Sequence, residues 1–308
     1  MRDGLELLLM PKPPYDFALT ARAARYYSVL GRAIERDGSV VYRRALRCGA
    51  AIALIELRSV GTIEQPSIMA RLLASSKVVD PAALARQLEQ MLNLSSDRTL
   101  FYASAADPAL RATIDRLYGL SVFQAESLFE ALAITMIEQQ IALRMAQQAE
   151  RWLVAQLGES ISYEGETYAV FPAPERIARL TVDELRPLKI TFQRMARLIA
   201  LAQSAASGGI DLEDIRALPL DEAYAAVRAI PGVGHWTAAW ALLRACGHYL
   251  YFGSADVALR AAVNAYHFGA EGRAAAPTVD ELFARYRPHD GIAAYYTLMR
   301  WAFERYPA

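Results

Sequence analysis

The chain has 308 residues, of which 54% are hydrophobic and 21% charged, and its 33 basic and 33 acidic side chains give a net charge of zero. This is an ordinary globular composition, long enough for about two domains with packed cores. The longest apolar stretches are far too short to span a bilayer, and residues 1–4 contain no apolar signal core, so we expect a cytoplasmic protein without a membrane partner.

Cysteine and histidine positions exclude several kinds of site. Cys48 and Cys246 are too few and too far apart for a disulfide framework or a zinc site, and they cannot hold a four-cysteine iron–sulfur cluster. The four histidines lack the spacing of metal ligands. We therefore expect no metal bound by side chains and no required cofactor.

The first hundred residues predict an α+β unit. An apolar run at 5–10 ends in a proline-rich turn, and a helix is predicted over 17–35, closed by the turn pair Asp37-Gly38. Strand-like segments and a second helix follow at 40–46, 51–57, 68–73 and 81–92. We expect an antiparallel sheet with helices on one face, in a domain of residues 1–105.

Beyond residue 107 strand signals nearly vanish, and residues 106–308 predict an all-helical domain in two lobes. Apolar residues recur at helical spacing through 121–157, which indicates one or two helices. Capping boxes at Thr181-x-x-Glu184 and Thr278-x-x-Glu281 each predict a helix start. Further helices are predicted over 222–229 (capped by Asp221), from 234 or 235 to about 246, and over 291–306.

A glycine-rich turn between two predicted helices is the most informative segment. Gly232, Val233 and Gly234 permit a very tight turn, in which Val233 should point inward and lock the helices together. The second helix then begins with unpaired N–H groups at the positive end of its dipole, which suits a DNA phosphate. Backbone contacts of this kind offset the lack of net positive charge. Taken alone, the segment is also consistent with a plain helical turn.

An aspartate follows the hairpin at a suggestive distance. Asp256 lies in a loop that leads into a helix, and it follows Gly232 by the length of one helix and a return loop. We therefore expect its carboxylate to reach back toward the hairpin. In isolation, a helix cap is the simpler interpretation of Asp256.

Hairpin, spacing and loop aspartate together resemble the helix-hairpin-helix DNA glycosylases and, among them, the bacterial 3-methyladenine DNA glycosylase II family. The likeness covers most of the chain. Its other landmarks are Pro-Pro-Tyr-Asp-Phe at 13–17, Met-Ile-Glu-Gln-Gln-Ile at 136–141, Phe-Pro-Ala-Pro at 171–174 and Met-Arg-Trp at 299–301.

The resemblance implies base excision with Asp256 as the catalytic carboxylate. Breaking an N-glycosidic bond leaves positive charge on the sugar, which a fixed carboxylate stabilises while it orients or deprotonates water. The implied substrate is an alkylated purine, 3-methyladenine first, flipped out of duplex DNA. Trp236 stands where strand-cleaving relatives carry the lysine that forms a Schiff base, so no lyase activity is expected.

The resemblance also implies roles for other residues, each with a plainer structural alternative. Cationic alkylated bases favour an aromatic pocket, although such rings are commonly core, and an arginine is commonly solvated. The implied pocket residues are Trp236, Trp240, Trp301 and Arg300. The implied DNA contacts are Gly232, Val233, Gly234, His235, Thr237, Arg194 and a wedge at Gln140, with Gln139 as the alternative wedge.

Other functions remain open at this point. The enzyme could act on deaminated, etheno or oxidised purines, or the chain could bind damaged DNA without catalysis. In either case the expected partner is damaged duplex DNA and the expected state is a monomer. The family's hairpin often holds a cation between protein and phosphate through backbone carbonyls, and the resemblance carries a structural monovalent cation over to the hairpin at 231–234.

Overall fold

The amino-terminal part of the chain forms an antiparallel sheet in the computed structural model, which describes residues 4–306. Residues 1–3, which belong to the segment assessed for a signal core, lie outside the described residues. The strands pair in the order β1-β5-β4-β3-β2, which confirms the α+β prediction and all three predicted strands. They are β1 (Glu6–Leu9), β2 (Gly31–Arg36), β3 (Ser39–Cys48), β4 (Ala51–Ser59) and β5 (Ile68–Ser75).

The helix predicted over 17–35 is wrong in its second half. Helix α1 covers Phe17–Ala23, a 3₁₀ turn follows at Ala24–Tyr26, and the chain then enters β2. Asp37 and Gly38 both have positive φ, 50° and 74°, as the two central residues of a tight β-hairpin turn require. The turn pair therefore joins β2 to β3, and the preceding residues pair in the sheet instead of continuing the helix.

Most of the remaining chain is helical. A 3₁₀ turn also forms at Arg186–Leu188. The helices are α2 (Pro81–Met91), α3 (Thr99–Ser104), α4 (Pro108–Arg116), α5 (Leu128–Glu138), α6 (Leu143–Leu157), α7 (Pro174–Ala178), α8 (Phe192–Ala206), α9 (Leu212–Ala217), α10 (Leu220–Arg228), α11 (His235–Cys246), α12 (Val257–Phe268), α13 (Ala276–Ala284) and α14 (Asp290–Arg305). Among the described residues, no helix has the length and apolar character needed to cross a membrane.

A small hairpin interrupts the region predicted to be all helical. Strands β6 (Ser160–Tyr163) and β7 (Glu166–Ala169) pair antiparallel, and the turn residues Glu164 and Gly165 have positive φ. Tyr168 packs with buried residues of β3 and β4. The all-helical prediction is wrong here because it gave no weight to the polar–apolar alternation of Ser160–Tyr163, which has the period of a half-buried strand.

Three predicted helix starts are also wrong. The Thr181–Glu184 box does form, with Thr181 N–H donating to Glu184 Oε2 at 2.8 Å, but it precedes only the 3₁₀ turn, since the proline there cannot continue an α-helix. Thr278 lies inside α13, and Asp221 lies in the first turn of α10, whose N-cap is Pro219.

Two hydrophobic cores meet at α11. The first packs the five-stranded sheet against α1–α4 and α12–α14, and the second packs α5–α10 together. Helix α11 contributes Ala239, Trp240 and Leu243 to the first core, and Ala238 and Leu242 to the second. The packing therefore does not divide at residue 105, because the carboxyl-terminal helices share a core with the sheet.

A buried ion pair joins the sheet to the second core. Arg44 on β3 donates from Nη2 to Glu130 Oε1 on α5 at 2.8 Å, and the two side chains are 3% and 2% exposed. Removing one partner would leave the other charge buried without its counterion, which costs about 3–5 kcal/mol.

We therefore expect Arg44→Met to lower the free energy of unfolding by about 3–5 kcal/mol in urea titrations. The double variant R44M/E130Q should regain most of this loss, because neither buried charge remains. A double variant that is no more stable than R44M would show that the two charges are not coupled.

Candidate active site

The turn between α10 and α11 has the predicted hairpin geometry. Gly232 has a φ of +86°, a conformation that side chains disfavour, and Val233 is 5% exposed within the second core. Gly234 is the N-cap of α11 and makes no side-chain cap bond. The first N–H groups of α11 therefore open toward the surface where Gly234 and His235 are exposed.

Asp256 occupies the start of α12 and contacts the hairpin helix. Its Oδ1 accepts the N–H groups of Ala258 and Leu259, both at 2.9 Å. Its Oδ2 accepts the indole N–H of Trp236 at 2.9 Å. The return of the loop toward the hairpin is thus confirmed, and Asp256 is also the helix cap that its position suggests in isolation.

A network around His235 holds the loop that carries Asp256. The Nε2–H of His235 donates to the carbonyl of Tyr251 at 2.8 Å, and Nδ1 forms a hydrogen bond with the Tyr224 hydroxyl at 2.7 Å. On the other side, Asp280 of α13 accepts from the hydroxyls of Tyr251 and Ser254, both at 2.6 Å. The sequence analysis missed Tyr224, Tyr251 and Asp280, because no local pattern marks the partners of a loop.

These bonds also favour the charged form of Asp280. Burial raises the pKa of this carboxyl, but the hydrogen bonds from Ser254 and Tyr251 outweigh it, so that the pKa is lowered overall. The ionised form of Asp280 therefore holds the loop.

A second carboxylate lies near Asp256 but is neutralised. Glu138 at the end of α5 accepts two bonds from Arg244, at 2.6 and 3.1 Å. Burial raises the pKa of Glu138, the Arg244 charge opposes this rise, and the Asp256 charge adds to it. Asp256 itself has no Lys, Arg or His partner at salt-bridge distance within residues 4–306, so its negative charge is available to a cation.

The structure separates the two candidate wedge residues. Gln139 donates from Nε2 to the carbonyl of Gly232 at 3.2 Å and to Thr237 Oγ1 at 2.8 Å, and Thr237 is 2% exposed. Gln140 has a positive φ of 54° and is exposed. Gln139 therefore ties α5 to the hairpin. Arg194 is 8% exposed and donates to a carbonyl in the last turn of α5. It therefore stabilises the end of α5 from the protein interior.

The two tryptophans of α11 lie one behind the other. Trp236 is half-buried beside Asp256. Trp240 is 5% exposed and packs against Phe252, with ring centroids 4.9 Å apart, and against the Arg244 guanidinium. The structure therefore brings Trp236 to the carboxylate and places Trp240 in the core behind it.

Arg300 and Trp301 do not meet Asp256. The Arg300 guanidinium lies 3.9 Å from the centroid of the Tyr266 ring and donates to Glu304. The Trp301 ring lies 6.2 Å from the same ring. Tyr266 is near the far end of α12, about 15 Å along the helix from Asp256 at 1.5 Å per residue. These two side chains belong to a cluster at the opposite end of α12.

Two arginines that the sequence analysis did not single out flank the hairpin. Arg228 Nη1 donates to the carbonyl of Val233 at 2.9 Å. The Arg197 side chain from α8 lies across Gly232, where a Cβ would come within 2.4 Å of Arg197 Cδ. Arg228 directly precedes the hairpin and could have been noted, whereas Arg197 is brought there only by the fold. They supply local positive charge on a chain with no net charge.

No family model matches the chain, but related proteins do. It is 34% identical over 215 residues to a DNA-3-methyladenine glycosylase from Bacillus subtilis, covering 68% of this chain and 71% of the relative. It is 25% identical over 244 residues to DNA-3-methyladenine glycosylase 2 from Escherichia coli, covering 76% and 78%.

The fold is also known. The 3-methyladenine DNA-glycosylase from Archaeoglobus fulgidus superposes with a TM-score of 0.76 at 22% sequence identity, covering 98% of this chain and 99% of that chain. This likeness establishes a common architecture over nearly the whole length, the amino-terminal sheet included.

Proposed function

Because the chain belongs to the DNA-3-methyladenine glycosylase family of helix-hairpin-helix proteins, we propose that Asp256 is its catalytic carboxylate. The activity of the chain is the excision of alkylated bases from DNA in base excision repair. The observation that carries the proposal is the hydrogen bond from Trp236 to Asp256, which fixes next to the hairpin a carboxylate that has no counterion among the described residues.

The chemistry requires stabilisation of a cation. When the glycosidic bond breaks, its electron pair goes to the base nitrogen, and the positive charge of the alkylated base is transferred to the sugar. The Asp256 carboxylate stabilises this oxocarbenium-like centre, and water then adds to C1′ and gives up a proton. An alkylated base leaves as a neutral molecule, so the site needs no general acid to protonate it.

Trp236 serves this reaction in two ways. Its indole N–H orients Asp256 Oδ2, and its ring offers an electron-rich face to a cationic base. A lysine at this position could form a Schiff base with the sugar, whereas tryptophan cannot. We therefore expect base release without strand cleavage.

DNA binding combines the hairpin with a wedge. The open N–H groups of α11 face a phosphate, while Arg197 and Arg228 add charge beside them. Gln140, exposed at the turn after α5, fills the gap left by the flipped base. One chain contains all these parts, so we expect it to act as a monomer on duplex DNA.

Replacement of Asp256 by Asn tests the catalytic assignment. Asn keeps an oxygen that can cap α12 but removes the charge, so 3-methyladenine release from methylated duplex DNA should slow about 10²–10³-fold. The Asn amide nitrogen cannot accept the Trp236 N–H, so the variant should lose about 1.5–3 kcal/mol of stability with that bond, but it should remain folded and bind undamaged duplex about as well as wild type.

Equal release by both proteins would remove Asp256 from catalysis. If wild type releases nothing, deaminated, etheno and oxidised purines should be tested next. Affinity for damaged DNA without release of any base would indicate a binding protein.

Replacement of Trp236 by Phe keeps an aromatic ring but removes the donor to Asp256. A hydrogen bond to a charged group contributes about 1.5–3 kcal/mol, so we expect release to slow at least about 10-fold. A rate of base release within about two-fold of wild type would contradict this role of the Trp236 N–H.

Gln140→Ala tests the wedge. The variant should release base more slowly from duplex than wild type, yet nearly normally from methylated single strands, since no paired gap must be filled there. Gln139→Ala is the matched control, because it breaks contacts within the protein and should affect both substrates alike. A Gln140→Ala variant that is equally slow on both substrates would contradict the wedge assignment.

A further inference from the structure

The hairpin carbonyls already have donors within the chain. The N–H of Val233 donates to the carbonyl of Ile230 at 3.1 Å. Gln139 Nε2 donates to the carbonyl of Gly232 at 3.2 Å, and Arg228 Nη1 donates to that of Val233 at 2.9 Å. Three oxygens that this turn could offer to a cation therefore accept hydrogen bonds, one of them from a guanidinium.

Carbonyl oxygens that already accept these hydrogen bonds do not fit the monovalent cation that the resemblance implies. A cation bound by these carbonyls would share the Val233 oxygen with Arg228, whose charge is permanent. Two positive charges about 4 Å apart repel one another, and the more strongly where bound DNA excludes bulk water. The arginine and the cation therefore compete for one position.

We propose that the Arg228 guanidinium replaces the monovalent cation at the hairpin and links it to a DNA phosphate. This inference rests on the proposed function only in that the hairpin binds DNA. Arg228 is exposed, and the bond to Val233 is the one hydrogen bond that its guanidinium makes among the described residues. A guanidinium has five N–H donors, so the remaining ones are free for phosphate oxygens.

The position of Arg228 suits this bridge. A Cβ at Gly234 would lie 3.8 Å from Arg228 Nη1, so the guanidinium adjoins the first turn of α11. The N–H groups of that turn have no side-chain cap. A phosphate bound there would meet backbone donors and a fixed positive charge together, without recruiting an ion from solution.

The matched control is Arg197, which lies across Gly232 on the other side of the turn. It makes no hydrogen bond to a hairpin carbonyl in the described part of the chain. Arg197→Gln should therefore weaken DNA binding through lost charge, but it should leave the response to cation identity unchanged.

The test measures affinity for a fluorescent duplex containing a tetrahydrofuran abasic analogue. Titrations are run in the chlorides of potassium, sodium and tetramethylammonium at equal ionic strength. Wild type should bind equally in all three, within about two-fold. Arg228→Gln should bind the duplex about ten-fold more weakly than wild type. The slope of its log affinity against log salt concentration should be shallower than that of wild type by about one.

Arg228→Gln should also acquire a dependence that wild type lacks. In this variant the Val233 carbonyl no longer accepts a hydrogen bond from a guanidinium, so potassium can bind the turn. The variant should therefore bind DNA more tightly in potassium than in tetramethylammonium. Arg228→Lys keeps the charge and should remain insensitive to the cation. Circular dichroism of each variant establishes that it is folded.

Two results would overturn the inference. One is a wild-type affinity that falls about five-fold or more when tetramethylammonium replaces potassium, a change that reflects a bound metal ion. The other is a folded Arg228→Gln variant with unchanged affinity. Base release by wild type in the same buffers tests the proposed function separately, because the affinities judge Arg228 whether or not a base is released.

Discussion

Helix α11 must serve two cores at once, and the rest of the structure depends on this constraint. Its small residues allow close packing on one side, while Trp240 and Leu243 fill the other. The hairpin precedes this helix and the Asp256 loop follows it, so both functional parts are attached to a segment that cannot shift without opening two interiors. The bond from Trp236 to Asp256 then fixes the distance between them.

Local signals in the sequence predicted the parts of the site that lie on one segment. The glycines at 232 and 234 indicated the hairpin, and the position of Asp256 indicated its return, because both are set by chain geometry. The same local reasoning misassigned Asp37-Gly38, where a hairpin turn resembles a helix end until the partner strand is known. Arg197 and Asp280 reach the site through tertiary packing, which no spacing in the sequence records.

Aromatic residues show the same limit most clearly. Trp236, Trp240 and Trp301 all suit a pocket for a cationic base by residue type. Only the folded structure distinguishes them, since Trp240 lies in the core and Trp301 packs on Tyr266 at the far end of α12. Charge follows a related logic. Arg44 and Arg244 are neutralised by buried glutamates, whereas Asp256, Arg197 and Arg228 form no ion pair among the described residues, so these three carry local charge on a chain with a net charge of zero.

The two cores are formed by different stretches of the chain, and this affects the order in which they can fold. Apart from Leu30, the second core is built from one continuous stretch between residues 125 and 245, whereas the first joins residues near both ends, from Leu9 to Ala302. During synthesis the sheet emerges first but lacks the helices that complete its core, while the middle segment can pack as soon as α11 has emerged. The sheet is thus synthesised before helices α12–α14 but stabilised only with them, and its strand edges stay open to other chains until these helices arrive.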